Sequence, residues 1–140
     1  MAKDDPVLDE LKVLKKRLRE LVKKWVPVMG LRWWHVDINY IYEVDHMPGG
    51  DYVGAARTRA AWQYKEAVVD FCMPKLLGLS YEDLENVVVH EFVHILTDPM
   101  MYATKNRLYQ EHVELSTTFL AEAFLWVRDE AAKGNLNLPD

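Results

Sequence analysis

The chain has 140 residues, of which 50% are hydrophobic, and its formal net charge is −5. This size predicts one domain over residues 1–140 with a single core, and a composition with 28% charged and 11% aromatic residues excludes an intrinsically disordered chain. The acidic balance gives no overall attraction to nucleic acid or to an anionic membrane, so we expect neither as a partner.

The number of cysteines and the N-terminal residues indicate the cellular compartment. Cys72 is the only cysteine, which excludes an intramolecular disulfide and a disulfide-stapled secreted fold. The N-terminal residues are charged, and no apolar run approaches the 18 residues of a membrane-spanning helix. We therefore expect a cytoplasmic protein without a membrane anchor.

The N-terminal segment predicts an amphipathic helix. Pro6 suits a first helical turn, apolar residues recur every three or four positions as far as Trp25, and the helix is predicted to end near Pro27. We interpret its basic face as a solvated surface of a helix that covers a sheet, with self-association or an acidic partner as the alternative. That face carries Lys12, Lys15, Lys16, Arg19 and Lys23.

Three extended segments follow. Apolar and polar residues alternate from Trp34 to Val44, which predicts a half-buried strand. A second strand at about Tyr52 to Trp62 and a third at about Ala67 to Met73 are predicted to form a hairpin through residues 64–66. The Ala- and Arg-rich part of the second segment, residues 55–61, is also compatible with a helix.

A buried helix is predicted from Tyr81 to Thr97. Ser80 suits its N-cap, two acidic residues occupy its first turn, and Pro99 is predicted to stop it. The residues between Val87 and Leu96 are apolar almost all round the helix, as expected in a core.

A loop from Asp98 to about Arg107 is predicted to lead into a final helix, Leu108 to Ala132, with Gly134 as its C-terminal stop. The predicted order is one helix, three strands and two helices. This order predicts an α+β fold with a small, largely antiparallel three-stranded sheet.

Residues 90–94 read His-Glu-Phe-Val-His, an HExxH pattern in the last two turns of the predicted buried helix. Residues four apart share one helix face, so His90 and His94 can bind one metal ion. Glu91 lies about a quarter-turn away and can take a proton from a water molecule at the metal. Buried polar groups need partners, and a metal supplies one; histidines satisfied by hydrogen bonds are the alternative. The pattern predicts a zinc site with Glu91 as general base.

A catalytic zinc ion needs three protein ligands and an open position, so a third ligand is expected on the final helix. Glu111, His112 and Glu114 are the candidates, because all three fall within one helical turn. The rotation of that helix is not fixed by the sequence. A solvated helix N-terminus rich in carboxylates is the alternative interpretation of the two glutamates.

Nearer residues fit less well. Metzincins place a third His six residues after the motif with an intervening Gly, but those positions are Met100 and Thr97, which excludes that class. Asp98 lies four residues beyond His94, and we interpret it as a hydrogen-bond partner of a ligand or as a helix stop.

With these residues the chain resembles the gluzincins, in which HExxH is followed by a helix that donates a Glu about 20 residues beyond the second His. Glu114 lies 20 residues beyond His94. The order of elements also resembles the minimal gluzincins, small one-domain peptidases. The resemblance implies a zinc cofactor held by His90, His94 and Glu114, with Glu91 as base and a peptide bond of a peptide or protein as target.

The resemblance also implies a substrate bound as an extra strand along a sheet edge, and Ala67 to Met73 is the predicted edge strand. Thermolysin-type enzymes often have an Asp four residues past the third ligand, where this chain has Thr118. The group that orients a ligand His is therefore open, with Asp98, Glu111, Thr118 or a backbone carbonyl as candidates.

Two further roles stay open at this point. Tyr102, Tyr109 and His112 are candidates for stabilising the oxyanion of an acyl-transfer step. A third ligand at His112 would instead make the chain similar to the SprT-like zinc proteases, which act on DNA-bound proteins.

Rival functions are a peptide deformylase and a non-catalytic zinc-binding module. Deformylases combine HExxH with an upstream Gly-Cys ligand motif, but Phe71 precedes Cys72 here, which disfavours that enzyme. A regulatory or interaction module on the same scaffold needs no general base, so Glu91 favours the peptidase.

Overall fold

The computed structural model describes residues 6–47, 54–102 and 107–135, with the side chains from 101 to 110 outside the description. The predicted α+β fold is confirmed over these residues. The elements are α1 (Pro6–Val28), β1 (His35–Ile41), a 3-10 turn (Val44–His46), β2 (Ala56–Ala61), β3 (Glu66–Cys72), α2 (Met73–Leu76), α3 (Tyr81–Tyr102) and α4 (Arg107–Ala132).

The described strands form one mixed sheet in the order β1-β3-β2. β3 pairs in parallel with β1 and antiparallel with β2. The prediction that the third strand is an edge was wrong: β2 returns along one side of β3 and β1 occupies the other. Val69, Phe71 and Cys72 are fully buried, as is typical of a central strand.

β2 and β3 form the predicted hairpin. The turn between them spans residues 62–65, and Lys65 has the positive φ of 53° that closes it. The helical alternative for residues 55–61 was wrong, because pairing with β3 outweighs the helix propensity of the alanines.

One core of buried apolar side chains joins α1, the sheet, α3 and α4. α1 contributes Leu14, Leu18, Leu21 and Trp25, and its opposite basic face is largely exposed. That exposure agrees with a solvated face; self-association through it stays a prediction. Over the described residues, none of the helices combines the length and apolar content that crossing a membrane requires.

A buried carboxylate, which the sequence patterns did not reveal, joins three helices. Glu85 of α3 is 4% exposed and accepts hydrogen bonds from Lys24 Nζ (2.8 Å) and Trp25 Nε1 (3.0 Å) of α1 and from Arg128 of α4. Burial raises the pKa of Glu85, but the three hydrogen bonds outweigh it, so the pKa lies below its ordinary value.

We predict that Glu85→Ala lowers the free energy of unfolding by about 3 kcal/mol, near the low end for breaking a buried ion pair, because Lys24 stays partly exposed. The lowered pKa means that this contribution is present above the ordinary glutamate pKa and is lost as the pH falls through the lowered value. Urea unfolding at successively lower pH measures both effects.

Glu82→Ala, an exposed change in the same helix, is the matched control and is expected to stay within about 0.5 kcal/mol of wild type. A Glu85 variant as stable as this control at neutral pH would contradict the predicted role.

Candidate metal centre

The HExxH residues form a cluster on α3. His90, Glu91 and His94 each place a ligand atom within 4.8 Å of the others, and this group is the one found among the described residues that can hold a metal ion. The imidazole rings of His90 and His94 meet edge to face with centroids 4.8 Å apart. One helical turn separates them, so this proximity follows from helix geometry alone.

Apolar packing fixes the helix that carries this cluster. Val88, Val89, Phe92, Val93 and Ile95 are fully buried, whereas both histidines are partly exposed. Each histidine therefore projects from a rigid backbone towards a region that solvent can reach. An ion can enter such a site from outside.

The predicted end of this helix was wrong. α3 continues to Tyr102 with Pro99 inside it, so the motif lies in the middle of the helix and Asp98 is not its stop. A proline removes one backbone hydrogen bond and crowds the preceding turn. The helix nevertheless continues for three residues past Pro99.

α4 brings a third candidate ligand beside His94, outside the group formed by His90, Glu91 and His94. Glu114 Oε2 lies 3.6 Å from His94 Nε2, and the Glu114 side chain is half exposed. Two ligands about 2.1 Å from one tetrahedral ion lie about 3.4 Å apart, so the observed separation suits a shared metal. Glu111 and His112 are exposed on the same helix.

A buried pair of hydroxyls sets the rotation of α4 against α3. Thr97 Oγ1 and Thr117 Oγ1 are 3.1 Å apart, with Thr97 three residues after His94 and Thr117 three residues after Glu114. Each hydroxyl is also within hydrogen-bond distance of a carbonyl of its own helix, Val93 at 3.2 Å from Thr97 and Val113 at 2.9 Å from Thr117, so one hydroxyl donates to the other and the second donates to its carbonyl. This contact holds the two helix faces that carry His94 and Glu114 towards each other.

The protonation state of His94 favours metal binding. Burial lowers the pKa of this imidazole, the Glu114 carboxylate raises it, and His90 lowers it, with a net shift downwards. His94 is therefore neutral at neutral pH, which is the form that coordinates a metal.

Glu91 is buried beside these groups, at 7% exposure. Its Oε2 accepts a hydrogen bond of 2.5 Å from Thr58 Oγ1 of β2. Burial raises the pKa of Glu91 to about 7, with the Thr58 hydrogen bond opposing that shift and the Glu114 charge adding to it. A cation held by the neighbouring histidines would lower it again. The carboxylate can thus accept and return a proton near neutral pH.

β2, which the sequence analysis did not connect to the site, lies directly against α3 through this hydrogen bond. A cleft of about 350 Å³ opens between the two elements. It is lined by Ala55, Ala56, Asn86, Val87, His90 and Glu91. The alternation of residues 56–61 could have predicted this contact. It places Thr58 on one face of the strand and the flanking Arg57 and Arg59 on the other, which favours Thr58 as an inward-facing residue.

Two of the candidates for orienting a ligand His, Asp98 and Thr118, have other partners. The Trp62 backbone N–H donates to Asp98, whose Oδ2 is buried without a hydrogen bond to any described residue. Burial raises the pKa of Asp98 above its ordinary value. The Thr118 hydroxyl donates to the Glu114 carbonyl (3.2 Å). The orienting group therefore stays open.

The oxyanion candidates are largely untested, because the side chains of Tyr102 and Tyr109 lie outside the described residues. His112 is exposed. Cys72 is fully buried in β3 and does not belong to the metal-binding group of the described chain, which agrees with the argument against a deformylase.

Comparison of the chain with protein-family models, with curated protein sequences and with solved structures gives no match. The chemistry of the described side chains therefore carries the functional argument.

Proposed function

We propose that this protein is a zinc-dependent peptidase of the gluzincin type, with His90, His94 and Glu114 as metal ligands and Glu91 as general base. The observation that carries the proposal is the buried carboxylate of Glu91 next to two imidazoles and a second, separate carboxylate, that of Glu114. A purely structural metal site uses all its polar groups as ligands and has no need of this fourth group.

The donor set supports zinc. Two imidazole nitrogens and one carboxylate oxygen are a known catalytic zinc combination, whereas magnesium and calcium prefer sets made of oxygen alone. Zinc bound there supplies a Lewis acid that lowers the pKa of a water molecule and polarises a carbonyl.

Glu91 moves the protons of the proposed reaction. Its carboxylate takes a proton from the water that attacks the peptide carbonyl and then gives it to the leaving amine. Burial keeps the carboxylate away from bulk solvent, and the hydrogen bond from Thr58 holds one of its oxygens.

The edge strand beside the metal centre supports an extended peptide as substrate. β2 is an edge of the described sheet, and the Cys72 N–H donates to the Ala55 carbonyl (2.8 Å). In an antiparallel pair, the residues that face the partner strand alternate with those that face away. The backbone groups of Thr58 and Ala60 therefore point to the outer edge of β2, where a substrate strand can pair.

The cleft beside His90 supports a preference for an apolar substrate residue. Ala55, Ala56 and Val87 are its apolar lining residues, and Asn86, His90 and Glu91 are its polar ones. A volume of about 350 Å³ leaves room for one side chain of the substrate. We infer that this cleft receives the side chain of a residue next to the cleaved bond.

The test is hydrolysis of an unfolded protein and of a random peptide library by the zinc-loaded protein, followed by mass spectrometry of the products. We expect cleavage that a zinc chelator abolishes and added zinc restores. Full zinc occupancy without any cleavage would favour the non-catalytic zinc-binding module. A protein that binds no zinc would contradict both functions.

A further inference from the structure

Thr58 is the residue of β2 that reaches the proposed base. Its Cα is paired with that of Val69, a fully buried residue of β3, so both side chains lie on the inner face of the sheet towards α3. Thr58 Oγ1 lies 2.5 Å from Glu91 Oε2 and 3.1 Å from the Glu91 carbonyl oxygen. A hydroxyl has one proton, and the shorter contact to a charged acceptor is the stronger one.

The neighbouring positions show how specific this contact is. The inward-facing residues of β2 are Ala56, Thr58 and Ala60, since side chains alternate along a strand. Of these three, Thr58 alone has a side-chain donor, and it stands opposite the Glu91 carboxylate. Threonine is branched at Cβ, so the strand backbone restricts the direction of its hydroxyl.

We propose that Thr58 is the positioning residue of the general base. Its hydroxyl fixes Oε2 of Glu91 and leaves Oε1 to face the attacking water. The backbone groups of Thr58 also point to the outer edge of β2, where the substrate strand is proposed to pair. The same residue therefore links the bound peptide to the base. This inference rests on the peptidase function proposed above.

Thr58→Val tests the inference, because valine keeps the shape and the branched Cβ but removes the donor. We expect unchanged zinc content, a kcat lower by about 10- to 100-fold and a KM within about twofold of wild type, since a displaced base costs rate rather than binding. Thr58→Ser restores the hydroxyl and is expected to recover most of kcat.

Ser116→Ala is the control, because it removes a side-chain hydroxyl at an exposed position of α4. Its kcat is expected to stay within about twofold of wild type, since surface substitutions rarely disturb the fold. Crystal structures of zinc-loaded wild type and Thr58→Val supply a readout apart from activity, with the Glu91 carboxylate displaced in the variant.

A full kcat in Thr58→Val overturns the inference, and so does an equal loss in Thr58→Ser or in Ser116→Ala. If the wild type cleaves no peptide, the peptidase proposal fails, and the two crystal structures still decide the positioning role. A Glu91 carboxylate in the same place in both structures overturns it.

Discussion

Glu91→Gln is expected to lower the rate of peptide hydrolysis by about two to four orders of magnitude, while zinc content and fold stay unchanged. Glutamine is nearly isosteric with glutamate, and its carbonyl oxygen can still accept the hydrogen bond from Thr58. An amide cannot take a proton from water, so the general-base step alone is lost.

The variant is also expected to be at least as stable as wild type in the absence of metal. Burial raises the pKa of Glu91 to about 7, which shows that the charged carboxylate is disfavoured in this environment. A neutral amide avoids that desolvation cost. A thermal melt of the metal-free proteins, beside a steady-state assay of the zinc-loaded ones, measures both expectations.

Glu122→Gln, the same change at an exposed position of α4, is the control and is expected to leave rate and zinc content at the wild-type level. Wild-type hydrolysis by Glu91→Gln would remove Glu91 from the role of base. Loss of zinc in that variant would instead make Glu91 a ligand.

The part of the site that lies on one helix could be predicted from the sequence because its geometry is local. Helical spacing converts the positions of His90, Glu91 and His94 into distances without knowledge of the rest of the fold. The position of Glu114 was suggested by its separation from His94, but its approach depends on the rotation of α4. The contact of Thr97 with Thr117 sets that rotation. The spacing of apolar residues along either helix does not predict this contact.

Strand order could not be predicted in the same way, because it depends on pairing between distant residues. Alternation of apolar and polar residues shows which face of the sheet each side chain occupies. It does not show which strands pair with each other. The apolar run of β3 was a sign of a central strand, but Asp70 interrupts it. In the fold Asp70 is buried and accepts hydrogen bonds from Asn39 of β1 and Arg59 of β2, which offsets the cost of burying its charge.

The helix boundary at Pro99 was predicted from a local rule, which states the cost of a proline inside a helix but does not forbid one. The three-helix contact of Glu85 was missed for a related reason, since a Glu in the first turns of a helix is usually solvated. The partners of Glu85 lie on α1 and α4, and the pattern of α3 alone does not identify them.

We predict about one zinc ion per purified chain, and none in the double variant His90→Ala, His94→Ala, because the remaining carboxylates then offer no imidazole ligand. Loss of a residue that hydrogen-bonds to a metal ligand lowers metal affinity by about 10- to 100-fold. Glu114→Ala removes a ligand itself, so we expect a larger loss of zinc affinity and a loss of hydrolysis. Removing the metal from wild type should lower its melting temperature, since the ligands join α3 to α4.

Glu111→Ala and His112→Ala are the matched controls, because both residues are exposed on α4 within one turn of Glu114. Competition with a chromogenic chelator measures zinc affinity in all four proteins, and wild-type affinity is expected for these two. If Glu114→Ala kept zinc and activity while one of them lost both, the third ligand would be that residue and the peptidase function would survive. Equal zinc content in wild type and in the double histidine variant would reject the metal site, because no other described group on α3 can replace two imidazoles one helical turn apart.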